Sequence, residues 1–307
     1  MTTVAFLLVP DLHLLDLAGP AQVFSTARDM GYGYTLRYVA ESAEVPTAQG
    51  VPVRAGVEWP ALGPDDLVVV PGWRSHGFRI GGTLSAASLS RLAAHHRAGG
   101  TVASVCAGAD ALGRAGLLDG RRCTTHHDIQ DALARRYPRA TVVRDVLFVI
   151  DGRIVTSAGI ASGIDLALQL VALRDGPSAA ARVARQMVVY ARRNGDELQS
   201  SAMMRHRAHV SDAVHRAQDL IDARYASPLP LAELAQECGV SERTLTRRFG
   251  AATGLTPLGY QQALRLERAE NLIGNGATVS AAARAVGFED PRMLRRLRAR
   301  TPSFPGI

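Results

Sequence analysis

The chain reads Thr101-Val-Ala-Ser-Val-Cys106-Ala-Gly-Ala109 at the point where a short apolar run ends directly at a cysteine. The run predicts a buried parallel strand, Thr101–Val105, and the small residues after it predict a helix over Ala107–Leu118. Ligands in open α/β folds bind beyond the carboxyl ends of the strands, and a strand-to-helix elbow exposes a side chain there. We therefore predict that Cys106 faces a ligand site and that the helix N-terminus lowers the pKa of its thiol.

The elements around this elbow alternate between strands and helices over residues 1–190. Strands are predicted at Val4–Val9, Tyr34–Ala40, Val51–Val57, Leu67–Val70, Val142–Ile150 and Arg153–Ser157, the last two as a hairpin around Asp151-Gly152. Helices are predicted at Leu17–Met30, Ser85–Arg97, Asp128–Tyr137, Ile160–Leu173 and Ser178–Tyr190. The alternation indicates an α/β fold with a flavodoxin-like doubly wound sheet.

Three polar side chains are candidates for the same sheet edge as Cys106. Asp16 follows the first strand, and His126 and His127 follow the short run Arg121–Cys123. A lone cysteine in a helical turn is more often a small inert hydrophobe, and paired histidines lie more often on the surface. Together these residues favour a pocket at this edge without requiring catalysis.

The remainder of the chain has a different pattern. Residues 191–211 begin with the polar Arg192-Arg193-Asn194-Gly195-Asp196 and are predicted to be a linker between domains 1–190 and 212–307. Beyond it no strand is evident, and helices are predicted at Val214–Arg224, Leu231–Glu237, Glu242–Ala252, Leu258–Ile273, Val279–Ala285 and Arg292–Ala299. The second domain is therefore predicted to be all-α.

Two helix-turn-helix patterns occupy this second domain. In the first, residues 229–249, Gly239 permits the turn, Ser241 is a good N-cap, and Leu245 and Phe249 point inward. The predicted DNA contacts on its second helix are Ser241, Arg243, Thr244, Thr246, Arg247 and Arg248. A second copy follows over residues 279–300, where Asp290 can cap a helix that presents Arg292, Arg295 and Arg296, with Arg298 and Arg300 beyond them. Arginine can read guanine and neutralise phosphate, so we predict double-stranded DNA as the partner.

The charge distribution supports this assignment. All 35 basic residues are arginine, and the formal net charge is +7. Residues 201–307 hold 15 arginines against 10 acidic residues, whereas residues 1–200 hold 20 against 18. Coding bias is the alternative explanation for the missing lysine, and it suffices for the nearly balanced first domain. The excess positive charge lies where a duplex would bind.

Composition excludes several other classes of protein. Hydrophobic residues make up 47% of the chain, which excludes a disordered protein. The three cysteines are too few for a disulfide framework and too scattered for a zinc site. No signal peptide or membrane span is evident. We predict a cytoplasmic protein with reduced thiols and with no cofactor or metal.

The first domain resembles a known superfamily. Ser104-Val-Cys-Ala-Gly-Ala, Ala115-Gly-Leu-Leu-Asp-Gly-Arg-Arg-Cys-Thr-Thr-His126 and Thr156-Ser-Ala-Gly-Ile-Ala-Ser-Gly-Ile-Asp-Leu-Ala-Leu are similar to the ThiJ/PfpI (class I glutamine amidotransferase-like) domain. Leu14-Leu-Asp-Leu-Ala-Gly-Pro20 resembles the branch that contains isonitrile hydratases and sensor domains of regulators. The resemblance covers about residues 3–190.

The resemblance implies a pocket formed by the elbow cysteine, an acidic residue after strand one and sometimes a histidine. The residues implied to bind a ligand are Asp16, Gly72, Trp73, Cys106, Ala107 and His126. The chain departs from the family at two of these positions. Ala107 stands where proteolytic and chaperone-like members carry histidine, and Trp73 stands where the family has the second glycine of its Pro-Gly-Gly turn. The main-chain N–H at position 73 could still serve an oxyanion.

The second domain resembles the AraC/XylS-type DNA-binding domain over about residues 212–305. Thr253-Gly-Leu-Thr-Pro257, Leu264-Arg-Leu-Glu-Arg-Ala269 and Val286-Gly-Phe-Glu-Asp-Pro291 carry the resemblance. The end departs from the family, which usually has an aromatic near position 298 and a Gly-x-x-Pro tail, whereas this chain has Arg298 and Thr301-Pro-Ser-Phe-Pro-Gly-Ile307.

The two resemblances together imply a sequence-specific DNA-binding transcriptional regulator rather than an enzyme. Its sensing pocket around Cys106 would bind a small effector such as an amine or amide, and the family implies a homodimer. The alternative is a cysteine-dependent hydrolase or isonitrile-hydratase-like enzyme, with Cys106 as nucleophile, Asp16 as acid–base partner and His126 as helper. A third interpretation makes Cys106 a redox sensor.

Overall fold

A computed structural model describes residues 1–74, 84–189, 193–197, 199, 206–207, 209–274, 276–288 and 290–300. The chain divides into two compact units, the N-terminal unit Met1–Gln199 and the C-terminal unit Ser200–Ile307. About half of the predicted linker over 191–211 and all of the atypical tail 301–307 lie outside the described residues. Among the described residues, no helix is long and apolar enough to span a membrane.

The N-terminal unit is built on a six-stranded sheet. In chain order its strands are β1 (Thr2–Leu7), β2 (Tyr34–Val39), β5 (Leu67–Val70), β6 (Thr101–Val105), β9 (Phe148–Asp151) and β10 (Ile154–Ser157). Their order across the sheet is β2-β1-β5-β6-β10-β9, parallel throughout except for the β9–β10 hairpin. Two small sheets join β3 (Glu44–Val45) to β4 (Val53–Arg54) and β7 (Arg122–Cys123) to β8 (Thr141–Val142).

Helices cover both faces of this sheet. They are α1 (Leu14–Asp29), α2 (Ala86–Arg97), α3 (Ala109–Arg114), α4 (Gln130–Arg136), α5 (Ser162–Asp175) and α6 (Pro177–Gln186). Strands β5 and β10 are buried at every residue. Successive side chains point to opposite faces, so continuous burial requires cover on both. The predicted doubly wound α/β fold is confirmed.

Two predicted strands were wrong in extent. The predicted strand Val142–Ile150 is divided between β8 and β9, because Asp145 adopts a left-handed φ of 53° between them. The predicted strand Val51–Val57 shrinks to the two residues of β4. Val51 and Val57 are more than half exposed, so the apolar pattern there has no core to pack against.

The C-terminal unit consists of helices in its described part. They are α7 (Asp212–Arg224), α8 (Leu231–Glu237), α9 (Glu242–Thr253), α10 (Pro257–Gly274), α11 (Val279–Ala285) and α12 (Pro291–Arg300). One apolar cluster surrounds Phe249 and Tyr260, and a second surrounds Val286 and Leu294. Helix α10 contributes to both clusters, so it connects the two helix-turn-helix motifs, which confirms the predicted arrangement.

Candidate functional site

The elbow after β6 holds Cys106 in a strained conformation. Its φ is 54°, in the left-handed region that costs a non-glycine residue about 1 kcal/mol or more. The turn Cys106–Gly108 passes so close to β5 that a Cβ on Gly108 would lie 2.2 Å from the carbonyl oxygen of Val70. The Thr125 hydroxyl donates a 2.8 Å hydrogen bond to the Cys106 carbonyl and holds the elbow from the other side. This close packing maintains the strain and places the cysteine at the carboxyl edge of the sheet.

Two glycines provide the space around the cysteine. A Cβ on Gly72 would lie 2.6 Å from both Asp16 Oδ2 and Cys106 Cβ, and 2.9 Å from the Ala107 nitrogen. A Cβ on Gly159, whose φ is +106°, would lie 2.8 Å from Cys106 Sγ. The chain therefore brings Asp16, Cys106 and the Ala107 main chain together around two backbone positions without side chains.

The Asp16 carboxyl group is the chemically unusual part of this cluster. It is buried on α1, and its Oδ1 accepts a 2.6 Å hydrogen bond from the Ile160 N–H. Its Oδ2 lies beside Gly72 and Cys106 but has no partner with hydrogen-bond geometry among the described residues. Burial raises the pKa of Asp16 to about 6, opposed mainly by the N–H groups of Ile160 and Gly72. The Gly72 N–H and the Cys106 thiol lie close enough to lower the pKa of this carboxyl group, but neither meets hydrogen-bond geometry at Oδ2. A buried oxygen in this state is costly, and a ligand N–H or O–H would satisfy it.

The Cys106 thiol does not have the predicted lowered pKa. Burial, and secondly the neighbouring Asp16 carboxyl, raise the pKa of Cys106 far above its usual range. The N–H of Ala107 opposes this shift, but a three-residue turn supplies too little dipole to outweigh desolvation. The prediction was wrong because burial is set by residues remote in sequence. Among the described residues no histidine is hydrogen-bonded to this thiol, so Cys106 is a buried thiol that stays neutral near pH 7.

The other candidate residues occupy the borders of the cluster. Trp73 is buried, and its backbone forms a β-bridge with Leu12. The preceding Gly72 carbonyl accepts a 2.9 Å hydrogen bond from His13 N. His126 is half-buried and caps a short turn, with Nδ1 accepting from the Asp128 N–H. Burial is the main cause that lowers the pKa of His126. Its structural link to the cysteine runs through the neighbouring Thr125 hydroxyl.

His126, His127 and Asp128 also offer ligand atoms within 4.8 Å of one another, a spacing that could admit a metal ion. The centroids of the two histidine rings lie 4.2 Å apart with the rings tilted by 32°, and His127 and Asp128 are exposed. The three residues are consecutive on one surface turn. Within the part of the chain that the structure describes, these two histidines and one aspartate form a group whose side chains are suited to binding a cation.

Sequence reasoning missed four residues that shape the cluster: Thr125, Gly159, Ile160 and Gln199. Gly159 and Ile160 follow β10, the strand next to β6, and therefore reach the same sheet edge. The rule that placed Cys106 at this edge would have found them, since they stand within the quoted stretch that begins at Thr156. Gln199 carries no such signal because its contacts are with loops distant in sequence.

In the C-terminal unit, α9 is oriented as predicted for a recognition helix. Ser241 caps it by accepting from the Thr244 N–H, and Leu245 and Phe249 are buried. The opposite face presents the exposed side chains of Arg243, Thr246, Arg247 and Arg248, while Thr244 is half-buried. Among the described residues, none of these three arginines has a hydrogen-bond or acidic partner. The face is therefore available for anionic groups.

Helix α12 has the same organisation. Leu294 is buried, and Asp290 Oδ1 accepts from the Arg292 N–H at the start of the helix. The exposed Arg292, Arg295 and Arg296 have no partner within the described residues, like the arginines of α9. Arg298 differs because it pairs through two contacts with Glu270 of α10.

Comparison with known proteins matches each unit. Residues 2–173 match the DJ-1/PfpI family and residues 234–302 match a helix-turn-helix domain. The HTH-type transcriptional regulator CdhR of Pseudomonas aeruginosa is 29% identical over 98% of this chain and 89% of its own length. The isonitrile hydratase of Pseudomonas putida is 33% identical over 54% of this chain and 69% of its own. The crystal structure of a ThiJ/PfpI family protein from Pseudomonas syringae has a TM-score of 0.55 at 22% identity, covering 77% of this chain and 88% of that one. The regulator thus matches nearly the whole chain, whereas the hydratase matches about half of it.

Proposed function

Since the chain belongs to the DJ-1/PfpI family and continues into an AraC-type helix-turn-helix domain, we propose that it is a sequence-specific DNA-binding transcriptional regulator. The observation that carries the proposal is the pair of arginine faces on α9 and α12. Each lies on the second helix of a helix-turn-helix motif, and each has three exposed arginines without a partner among the described residues. Unpaired arginines on such helices suit the major groove and its flanking phosphates.

The spacing of the two motifs supports binding along one face of a duplex. Helix α10 has 18 residues, which corresponds to about 27 Å of helix. Successive major grooves on one side of B-DNA are about 34 Å apart. The predicted contacts from Ser241 to Arg248 and from Arg292 to Arg296 would then read two adjacent grooves. A homodimer, proposed from the family resemblance, would double this footprint.

We propose the cluster around Cys106 as the effector pocket. Asp16 Oδ2 has no partner of hydrogen-bond geometry among the described residues, and a small molecule that donates a hydrogen bond would satisfy this buried oxygen. An amine or amide N–H has this chemistry, and a cationic amine would in addition stabilise the ionised carboxylate. Gly72, Trp73 and Ala107 would form the wall, and His126 would border the entrance.

The regulator is favoured over a cysteine-dependent enzyme. A cysteine nucleophile needs a thiolate, and burial raises the Cys106 pKa far above neutral. Nucleophilic cysteines are also activated by an adjacent base. Here the neighbouring Asp16 carboxyl group raises the pKa of the Cys106 thiol instead of promoting its ionisation. The isonitrile hydratase matches about half of this chain, whereas the regulator matches nearly all of it.

Fluorescence anisotropy with DNA from upstream of the chain's own gene tests this proposal. Affinity should fall steeply with salt, and the double substitution Arg247→Ala/Arg248→Ala should lower affinity and reduce the slope of log affinity against log salt by about 2. Arg28→Ala, an exposed arginine of the N-terminal unit, is the matched control and should leave both unchanged. Absence of salt-sensitive binding by the wild-type chain would overturn the proposal.

A further inference from the structure

The segment that leads out of the N-terminal unit is attached to that unit at three points. At its start Arg193 makes three hydrogen bonds with the buried Asp165 of α5, from its main-chain N–H and from two guanidinium nitrogens. In the middle, the Gly195 carbonyl accepts from Leu147 N at 2.9 Å. A Cβ on Gly195 would lie 2.7 Å from the Phe148 ring, so the segment packs closely on the sheet edge. Charged and backbone contacts of this kind fix the path of the segment.

The third point of attachment is Gln199, the last residue of the N-terminal unit. Its side-chain Nε2 donates to the carbonyls of Thr125 and Val146, at 2.9 and 3.1 Å. Its Oε1 accepts a 2.8 Å hydrogen bond from the His127 N–H. A single amide side chain thus holds both sides of the residue His126. Both of these neighbouring residues belong to the loop 124–128, which borders the proposed pocket.

The same loop contacts the elbow. The Thr125 hydroxyl donates to the Cys106 carbonyl, while the Thr125 carbonyl accepts from Gln199. A continuous hydrogen-bonded path therefore runs from the pocket cysteine through one threonine to the residue where the chain leaves the unit. A ligand that displaces the elbow or the loop must change the bonds to Gln199.

We propose that Gln199 is the positioning residue that couples the Cys106 pocket to the DNA-binding domain. The inference rests on the proposed regulatory function and specifies how its signal passes. With the loop 124–128 in place, Gln199 fixes the start of the chain that continues into the C-terminal unit. When the loop shifts, that start is released. Binding coupling is reciprocal, so DNA bound to the C-terminal unit must in turn alter the loop.

Hydrogen–deuterium exchange on the full-length chain tests this reciprocity without an identified effector. Exchange of a peptide that spans residues 124–130 is measured for the free chain and for the chain saturated with the upstream duplex. We expect DNA to change the exchange rate in the wild type by about 5-fold or more, the lower end of typical allosteric couplings. In Gln199→Ala the change should vanish, although the variant still binds the duplex within about threefold of wild-type affinity.

Gln130→Ala is the matched control. Gln130 of α4 also donates to the Thr125 carbonyl, at 3.2 Å, and its Oε1 accepts from Asp145 N. It belongs to a helix within the N-terminal unit and not to the segment that leads out of it. This variant should exchange faster in the free state, as Gln199→Ala does, yet keep the response to DNA. A merely structural role for Gln199 predicts the same response in both variants and would overturn the inference. So would a wild-type chain that binds DNA with no change in the loop, whereas a wild-type chain that fails to bind DNA removes the proposed function itself.

Discussion

Replacing Asp16 by asparagine should remove a pH-dependent loss of stability from the N-terminal unit. Burial raises the pKa of Asp16 from its usual 3.8 to about 6. Between these values the folded chain binds a proton that the unfolded chain has lost. The contribution of Asp16 to stability is therefore greatest below pH 3.8, declines as the pH rises toward 6, and is constant above it. Wild-type stability should fall by about 2 kcal/mol between about pH 4.5 and pH 7.5 relative to Asp16→Asn.

The comparison of two pH values isolates the titration from other effects of the substitution. An asparagine oxygen can still accept from the Ile160 N–H, but its NH₂ group faces the space beside Cys106 and Gly72. Any cost of that buried amide is the same at both pH values and cancels in the difference. The measured quantity is thus the change with pH of the difference in unfolding free energy between the two proteins.

Tryptophan fluorescence during urea unfolding is the assay of choice. Both tryptophans of the chain, Trp59 and Trp73, belong to the N-terminal unit, so the signal reports on that unit alone. Asp29→Asn, which removes an exposed carboxyl group at the end of the same helix, is the control substitution and is measured at the same two pH values. Equal differences at both pH values would refute the argument that burial holds the Asp16 proton.

Three other substitutions or treatments have defined outcomes. Gly159→Ala should destabilise the N-terminal unit by about 2 kcal/mol or more in urea unfolding, because the added methyl group would lie 2.8 Å from Cys106 Sγ at a residue with a left-handed φ. Gly31→Ala is the control: it has only the backbone cost, since no atom lies within 4 Å of the added Cβ, and equal losses in the two variants would contradict the prediction. Iodoacetamide should modify Cys106 slowly at pH 7 and ever faster to pH 10, because burial raises its pKa; a rate that levels off below pH 8, by peptide mass spectrometry, would contradict it. Leu245→Ala should lower the unfolding free energy of the C-terminal unit, followed by circular dichroism, by about 3 kcal/mol because Leu245 is fully buried. A shift of the tryptophan-fluorescence transition instead would show that the two units do not unfold separately.

The parts of the fold that sequence predicts are those that local patterns determine. The five-residue apolar run before Cys106 can only be a buried strand in this context, and Gly239 with Ser241 specifies a turn followed by a helix start. The strand predicted over Val142–Ile150 failed because the pattern cannot show that Asp145 turns the chain. The predicted lowering of the Cys106 pKa was wrong for a related reason. The pattern places a thiol at a helix start, but the atoms that desolvate it come from α1, from the turn after β5 and from the loop after β10.

Gln199 is a clearer example of a residue whose contacts the sequence pattern does not predict. A polar stretch after the last predicted helix has the composition of a linker, and composition gives no sign that Arg193 binds a buried carboxylate or that Gln199 holds a loop 74 residues earlier in the chain. Such contacts depend on the register in which the segment lies on the sheet edge. They become visible only when the N-terminal unit is assembled.

The properties of Asp16 explain why this pocket suits sensing better than turnover. An enzyme of this geometry would need an ionised cysteine beside its acid–base partner, and here desolvation opposes charge on both groups. The cluster therefore contains a carboxyl group whose pKa is raised to about 6 and whose Oδ2 has no partner of hydrogen-bond geometry among the described residues. A cationic N–H ligand would donate to this oxygen and would also stabilise the ionised Asp16 carboxylate. Its binding free energy would therefore include relief of the unsatisfied oxygen and of the desolvated charge. Because the Ile160 N–H and the Thr125 hydroxyl connect this cluster to two separate loops, that energy is available to reposition them, and a regulator requires such a difference between two states.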